Sequence, residues 1–252
     1  MDRTKPRLEH TVADGVATVV ISNPAKRNAM TAPMWSALPG LLERLAVDPA
    51  VRMLVLTGAG NTFCAGADIS SLRDPAGDPQ ALTVAAEESL AAFPRPTLAA
   101  IRGYCVGGGS QLAAACDLRF AEEGASFGVT PAKLGIVYPA SSTRRLVALT
   151  GPATAKHLLF SGELIDTARA LRTGLVDEVL PAGELDKRVD AYVRTLAARS
   201  QLTQAAAKEF AAGRADRDAH WAEQARRSGD TAEGVAAFLE RRAPRFTWTT
   251  GP

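Results

Sequence analysis

The chain has 252 residues, 46% of them hydrophobic and 22% charged, with a formal net charge of +2. That length supports a full hydrophobic core at the upper end for one domain, and Lys and Arg interspersed with Asp and Glu exclude a nucleic-acid-binding surface. Three cysteines, Cys64, Cys105 and Cys116, leave an odd thiol and lack metal-ligand spacing, which excludes a disulfide framework and a zinc site; they read as small buried apolar groups. No leader-like segment opens the chain and no apolar run reaches membrane-spanning length, so a soluble cytoplasmic protein without a membrane partner is expected.

In chain order, Val16 to Ser22 alternates as a strand and Asn23-Pro24 breaks it. Thr31 to Ala46 carries helix-period apolar residues, with Thr31 at the N-cap and Pro33 in the first turn; Pro39 is expected to kink or divide this helix. Val51 to Thr57 is a second strand. Arg73 to Gln80 is the most loop-like stretch. Ala81 to Phe93 reads as a helix, Thr97 to Ile101 as a strand, Ser110 to Ala115 as the helix after it, and Asp117 to Ala121 as a fourth strand. Gly151 to Phe160 is helical, and Val176 to Leu180 is a short strand closed by Pro181. The alternation implies stacked α/β units with parallel strands, while everything from Leu185 onward is helical and strand-free. Arg226, Arg227, Arg241, Arg242 and Arg245 concentrate near the C-terminus and read as a solvated face.

Two glycine-rich stretches carry the chemistry. Gly107-Gly108-Gly109 sits between an apolar run and a small-residue helix. There the unpaired N–H groups and the dipole favour negative charge, unless the triplet is only a tight turn against a neighbouring strand. Gly58 to Ile69 follows a strand and is again poor in side chains, so that the Ala67 N–H becomes a second donor. Two amides converging on one oxygen are the minimum for holding a thioester enolate.

Phe63-Cys64-Ala65-Gly66-Ala67-Asp68-Ile69 and Gly103-Tyr104-Cys105-Val106-Gly107-Gly108-Gly109-Ser110-Gln111-Leu112-Ala113 resemble the paired signature of the enoyl-CoA hydratase/isomerase (crotonase) superfamily. Asn23 to Met30, Phe127-Gly128, Leu134-Gly135, Arg145-Leu146, Glu233-Gly234 and Phe238 to Arg242 follow in family order. The resemblance implies an α/β fold with a crotonase-like ββα spiral core and two roughly perpendicular sheets over residues 1–197. A C-terminal helical oligomerisation region would occupy residues 198–252, giving a homotrimer or a hexamer built as a dimer of trimers. It implies an acyl-CoA thioester as substrate partner, coenzyme A only as part of that substrate, and no prosthetic group or metal. By resemblance Ala67 and Gly108 form the oxyanion hole, and Lys26, Arg27, Ala29, Ala65, Ala67, Asp68, Ile69, Gly107 and Gly108 seat coenzyme A. Asp68 doubles as a helix cap.

The chain departs from the family's hydratases at two positions. Two glutamates there place and activate one water; the first follows the glycine triplet by two residues, where this chain has Gln111. The second lies four residues after the Phe of Phe-Gly, where this chain has Pro131. Gln holds a water without taking its proton, and Pro offers no side-chain chemistry. Thr130 to Tyr138 resembles instead the methylmalonyl-CoA decarboxylase branch, whose reaction needs no base, although that branch can carry a His where this chain has Ala67. Ala67, Gly108, Gln111 and Tyr138 are therefore the expected catalytic set, with Tyr138 orienting the acyl end or merely anchoring its loop. An enoyl-CoA isomerase, an atypical hydratase and a non-catalytic acyl-CoA binder remain as alternatives. Glu87 and Glu88 read as solvated helix residues or, for one of them, a substitute base facing the pocket, Ser141 to Thr143 as acyl-group donors or a helix cap, and His10, His157 and His220 as isolated histidines.

Overall fold

The computed structural model describes residues 5–70 and 78–249. Strands β1 (Arg7–Ala13), β2 (Val16–Ser22), β3 (Met53–Gly58), β4 (Thr97–Ile101), β6 (Leu118–Glu122) and β9 (Glu178–Leu180) form one sheet in the order β1-β2-β3-β4-β6-β9. All neighbours after β2 pair in parallel, as the strand–helix alternation implies; β1 alone runs antiparallel, to β2. The parallel strands read as near-continuous apolar runs because both sheet faces are covered, and β4 is buried at every position. A second sheet joins β5 (Tyr104–Val106), β7 (Ser126–Gly128) and β8 (Ile165–Asp166).

Helix α1 (Ala32–Val47) follows Thr31 and lays Met34, Trp35, Leu38, Leu41, Leu42 and Leu45 into the core. At about 1.5–3 kcal/mol for each fully buried large apolar side chain, that stripe outweighs the weak local propensity of a helix holding Pro39. Of the two outcomes expected at Pro39, division does not occur: the helix runs on through it. Helix α2 (Pro79–Ala91) begins earlier than its apolar pattern suggested: Asp78 accepts the Ala81 N–H and Pro79 occupies the first turn. Pro79 and Gln80 are thus helix rather than loop, while positions 73–77 of that loop reading lie outside the described residues. Helix α3 (Gly108–Ala115) is buried from Gly109 to Ala115.

Helix α4 (Ala140–Ser161) includes the expected 151–160 segment and extends it upstream; Gly151, at φ +74°, breaks it internally before Pro152. Helices α5 (Thr167–Arg172), α6 (Leu185–Ala197), α7 (Gln201–Ala211), α8 (Asp218–Ser228) and α9 (Asp230–Leu239) complete the described chain. From Leu185 to Thr249 it contains no strand. Trp221 and Trp248 pack edge to face over Leu202 and Ala205, whereas Phe238 and Leu239 stay 82% and 74% exposed. Among the described residues no helix is long and apolar enough to cross a membrane, and no cluster of His, Cys, Asp and Glu suits a metal.

All three cysteines are free and buried. Burial pushes Cys64 and Cys116 from an ordinary 9.0 up to about 12 and raises Cys105 as well. The folded thiols hold their protons more tightly than unfolded ones, so this contribution is intact below pH 9.0 and is lost as pH climbs toward 12. Folding stability measured by chemical denaturation should fall across that interval. Iodoacetamide at pH 8 should leave the native thiols unmodified, and rapid native alkylation would contradict their burial.

Candidate active site

Two segments meet at the C-terminal ends of the parallel strands. Residues 64–68 follow β3, and Gly107–Gly109 lead from β5 into α3. Cys64 N donates to Tyr104 O at 2.8 Å and Val106 N to Cys64 O at 3.0 Å, which stitches the two segments together. The first is also held to α1's approach: Met30 N donates to Gly66 O and Asp68 N to Met30 O, each at 2.8 Å. In that parallel bridge the neighbours of Ala67 make the bonds, so its own N–H points away from Met30. Gly107 N donates to Gly128 O at 2.8 Å. Neither the Ala67 nor the Gly108 N–H donates to an oxygen of the described residues.

The glycines here serve close approach. A methyl group placed on Gly66 would lie 3.6 Å from the Gly108 nitrogen, and one placed on Gly108 would lie 3.4 Å from the Ala67 nitrogen and 2.8 Å from Trp35 Cζ2. The benzo edge of Trp35 thus backs the α-carbon of Gly108, leaving no room for a side chain.

These amides border a cleft of about 300 Å³. Ala65, Gly66, Ala67, Ile69, Gly107, Gly108, Gln111 and Tyr138 line it, together with Trp35 and Leu82, Thr83, Thr130 and Pro131. Among its described lining residues none is Asp, Glu, His, Lys or Arg. Ile69, Leu134, Ile136 and Val137 also border it and expose their apolar side chains. Tyr138 packs partly against the core; burial first, then the Glu87 carboxylate, push its phenol above the ordinary 10.0. Its hydroxyl therefore stays protonated, with Ser142 as its hydrogen-bond partner.

The remaining expected binding residues lie beside the cleft. Lys26 Nζ reaches both Asp68 carboxylate oxygens, at 2.8 and 2.7 Å, and Ser70 Oγ at 3.1 Å. This contact, more than any other, holds the Asp68 carboxyl below the usual carboxylate range. Asp68 also accepts the Ser70 N–H at 3.1 Å. The Arg27 guanidinium lies 4.7 Å from the Tyr104 ring centroid, and the Arg27 carbonyl accepts the Ala65 N–H. The Ala29 carbonyl accepts from Asn23 Nδ2 at 2.7 Å, so its backbone fixes the turn that presents Lys26 and Arg27.

The sequence reading of Glu87 is overturned. Glu88 is exposed, but Glu87 is completely buried behind the cleft. Arg145 donates to its Oε1, Ser142 Oγ to its Oε2, and Gln111 Nε2 to Oε2 at 2.7 Å. Ser142 is therefore neither an acyl-group donor nor a helix cap. One legible signal existed: Thr83, Glu87 and Leu90 fall on a single helix stripe, and Leu90 belongs to the core.

A sequence profile of the family described as Enoyl-CoA hydratase/isomerase matches residues 11–249. The chain belongs to the enoyl-CoA hydratase/isomerase family. It is 33% identical to the crotonyl-CoA hydratase of Syntrophomonas wolfei, with 92% of this chain and 94% of that protein aligned. It is likewise 33% identical to the (E)-benzylidenesuccinyl-CoA hydratase of Thauera aromatica, over 93% and 96% of the two chains. A crystal structure of an enoyl-CoA hydratase/isomerase family member superposes with a TM-score of 0.92 at 39% identity, covering 98% of each chain. The expected mixed α/β crotonase fold with its C-terminal helices is therefore the family's fold, and the chain is an enzyme of this family.

Proposed function

We propose that this enzyme binds an acyl-CoA thioester with its carbonyl oxygen between the Ala67 and Gly108 amides, and that its chemistry passes through the enolate held there. The observation that carries this reading is the pair of uncommitted N–H groups bordering an apolar cleft. Preorganised donors in a water-poor site stabilise charge that develops on the oxygen and need no reorganisation during reaction. The exposed apolar rim of Ile69, Leu134, Ile136 and Val137 suits the alkyl and pantetheine portions of such a ligand. Lys26 and Arg27, beside the cleft, suit its phosphates. The C-terminal helices, with Phe238 and Leu239 outward, suit a trimer.

Within that class we propose decarboxylation of a malonyl-type thioester. The C–C bond to the carboxylate breaks, its electron pair enters the enolate, CO2 leaves, and a proton from water restores the thioester. No step requires a side-chain base, and no described residue lining the cleft supplies one. Glu87 is no substitute, since three donors engage it behind Gln111. An apolar cleft also favours loss of a carboxylate whose hydration it strips away. The Tyr138 ring borders the acyl end, while Gln111 holds a water it cannot deprotonate.

The test is a panel of malonyl-, methylmalonyl- and ethylmalonyl-CoA followed by CO2 release, beside crotonyl-CoA followed by loss of its enoyl absorbance. CO2 from at least one malonyl thioester is expected, with crotonyl-CoA unchanged. Silence from all three malonyl compounds removes decarboxylation. Rapid crotonyl-CoA hydration would show that Gln111 and Pro131 do not disable hydration.

A further inference from the structure

The Glu87 network has a consequence for what the cleft recognises. A carboxylate engaged by Arg145 and Ser142 offers Gln111 only acceptor oxygens, so the Gln111 amide meets it through Nε2 and not through Oε1. The second Nε2 hydrogen points to the Thr83 carbonyl, at 3.5 Å. Both hydrogens are thereby turned from the ligand. Oε1 accepts from no donor among the described residues, yet it is not sealed from solvent, so it opens on the cleft that Gln111 lines.

We infer that Glu87 is a positioning residue that fixes Gln111 as an acceptor-only wall of the acyl pocket, so that the enzyme selects a ligand presenting a hydrogen-bond donor at that point. This rests on the acyl-CoA reading above. Gln111 follows Gly108 by three residues, close to one turn or about 5 Å along α3. A thioester carbonyl at Gly108 therefore brings the acyl C3 substituent, or a water beside it, to Gln111. Gln111 presents only an acceptor there, so a carboxylate is turned away from that point.

The lock is read from two probes that differ in donor capacity, 3-hydroxybutyryl-CoA and its ether 3-methoxybutyryl-CoA, each titrated calorimetrically. The wild-type enzyme should favour the hydroxyl compound by about ten-fold or more, because the ether leaves Oε1 without a partner. In E87Q a second amide replaces the carboxylate, and the Gln111 amide is free to turn and donate. The ratio should then narrow several-fold, chiefly through tighter binding of the ether. A lesion that merely loosened the pocket would weaken both probes. The exchange E87Q/Q111E, in which residue 87 donates to a carboxylate at 111, should restore the hydroxyl preference, and Q111M should abolish it. If E87Q does not fold, the contrast between the exchange and Q111M carries the same test. An unchanged ratio in E87Q, or no preference in the wild type, overturns the inference while leaving acyl-CoA binding intact. Failure of the wild type to bind either probe or butyryl-CoA overturns the acyl-CoA reading and the inference together.

Discussion

Alanine at Gly109 is expected to destabilise the fold by more than about 3 kcal/mol, beyond the usual range for an overpacked site. Its new methyl would stand 2.2 Å from the Cys64 carbonyl oxygen and 2.9 Å from Cys64 Cβ. Those neighbours do not yield. The Cys64 carbonyl accepts the Val106 N–H, and Cys64 is completely buried. The contact is relieved only by prising α3 from residues 64–68, which breaks the pairing that brings the two site segments together. For a chain of this size each kcal/mol corresponds to about 2–4 °C, so thermal unfolding should come at least about 6 °C lower. A G109A protein that melts with the wild type would mean that the two segments are not in such close contact.

The triple glycine was legible as a feature because glycine is entropically costly and three in succession demand a reason. Its reasons differ by position, which the sequence alone does not resolve. Gly107 takes φ +55°, a left-handed value that side chains resist, whereas Gly108 and Gly109 are required by Trp35 and Cys64 respectively. The long parallel strands were legible too, since burial on both faces leaves unbroken apolar runs. Strand β1 was not, because most of it is exposed and its residues alternate in no apolar pattern. Strands β5, β7 and β8, at three residues or fewer, are too short for any periodicity to register. They matter nonetheless: β5 delivers Gly107, and β7 supplies the carbonyl that takes its N–H.

Glu87 shows a different limit. Its place on the α2 stripe was readable, but its partners come from α3 and α4, so the ion pair with Arg145 spans 58 residues. A lone glutamate on a helix is ordinarily solvated, and only tertiary structure brings the donors that make burial tolerable. Gln111 was legible in the sequence as a side chain without a base. The buried carboxylate against its amide was not legible, because Glu87 lies 24 residues away on another helix.

Proline at Ala67 is expected to lower kcat by about 10²–10³-fold, the usual effect of removing one oxyanion donor. The substitution deletes a single N–H and breaks no internal hydrogen bond, because that N–H serves no described protein oxygen. Its flanking bonds, Met30 N to Gly66 O and Asp68 N to Met30 O, belong to other residues. The residue before it is Gly66, whose backbone tolerates the restriction that proline places on its predecessor. Melting should therefore change little compared with G109A. The loss should fall on kcat and KM together, since the proline Cδ stands where the N–H pointed and crowds the carbonyl oxygen whose developing charge that amide would hold. Loss of affinity for butyryl-CoA with kcat preserved would instead make Ala67 a ground-state contact. Turnover by A67P at the wild-type rate would place the developing charge elsewhere.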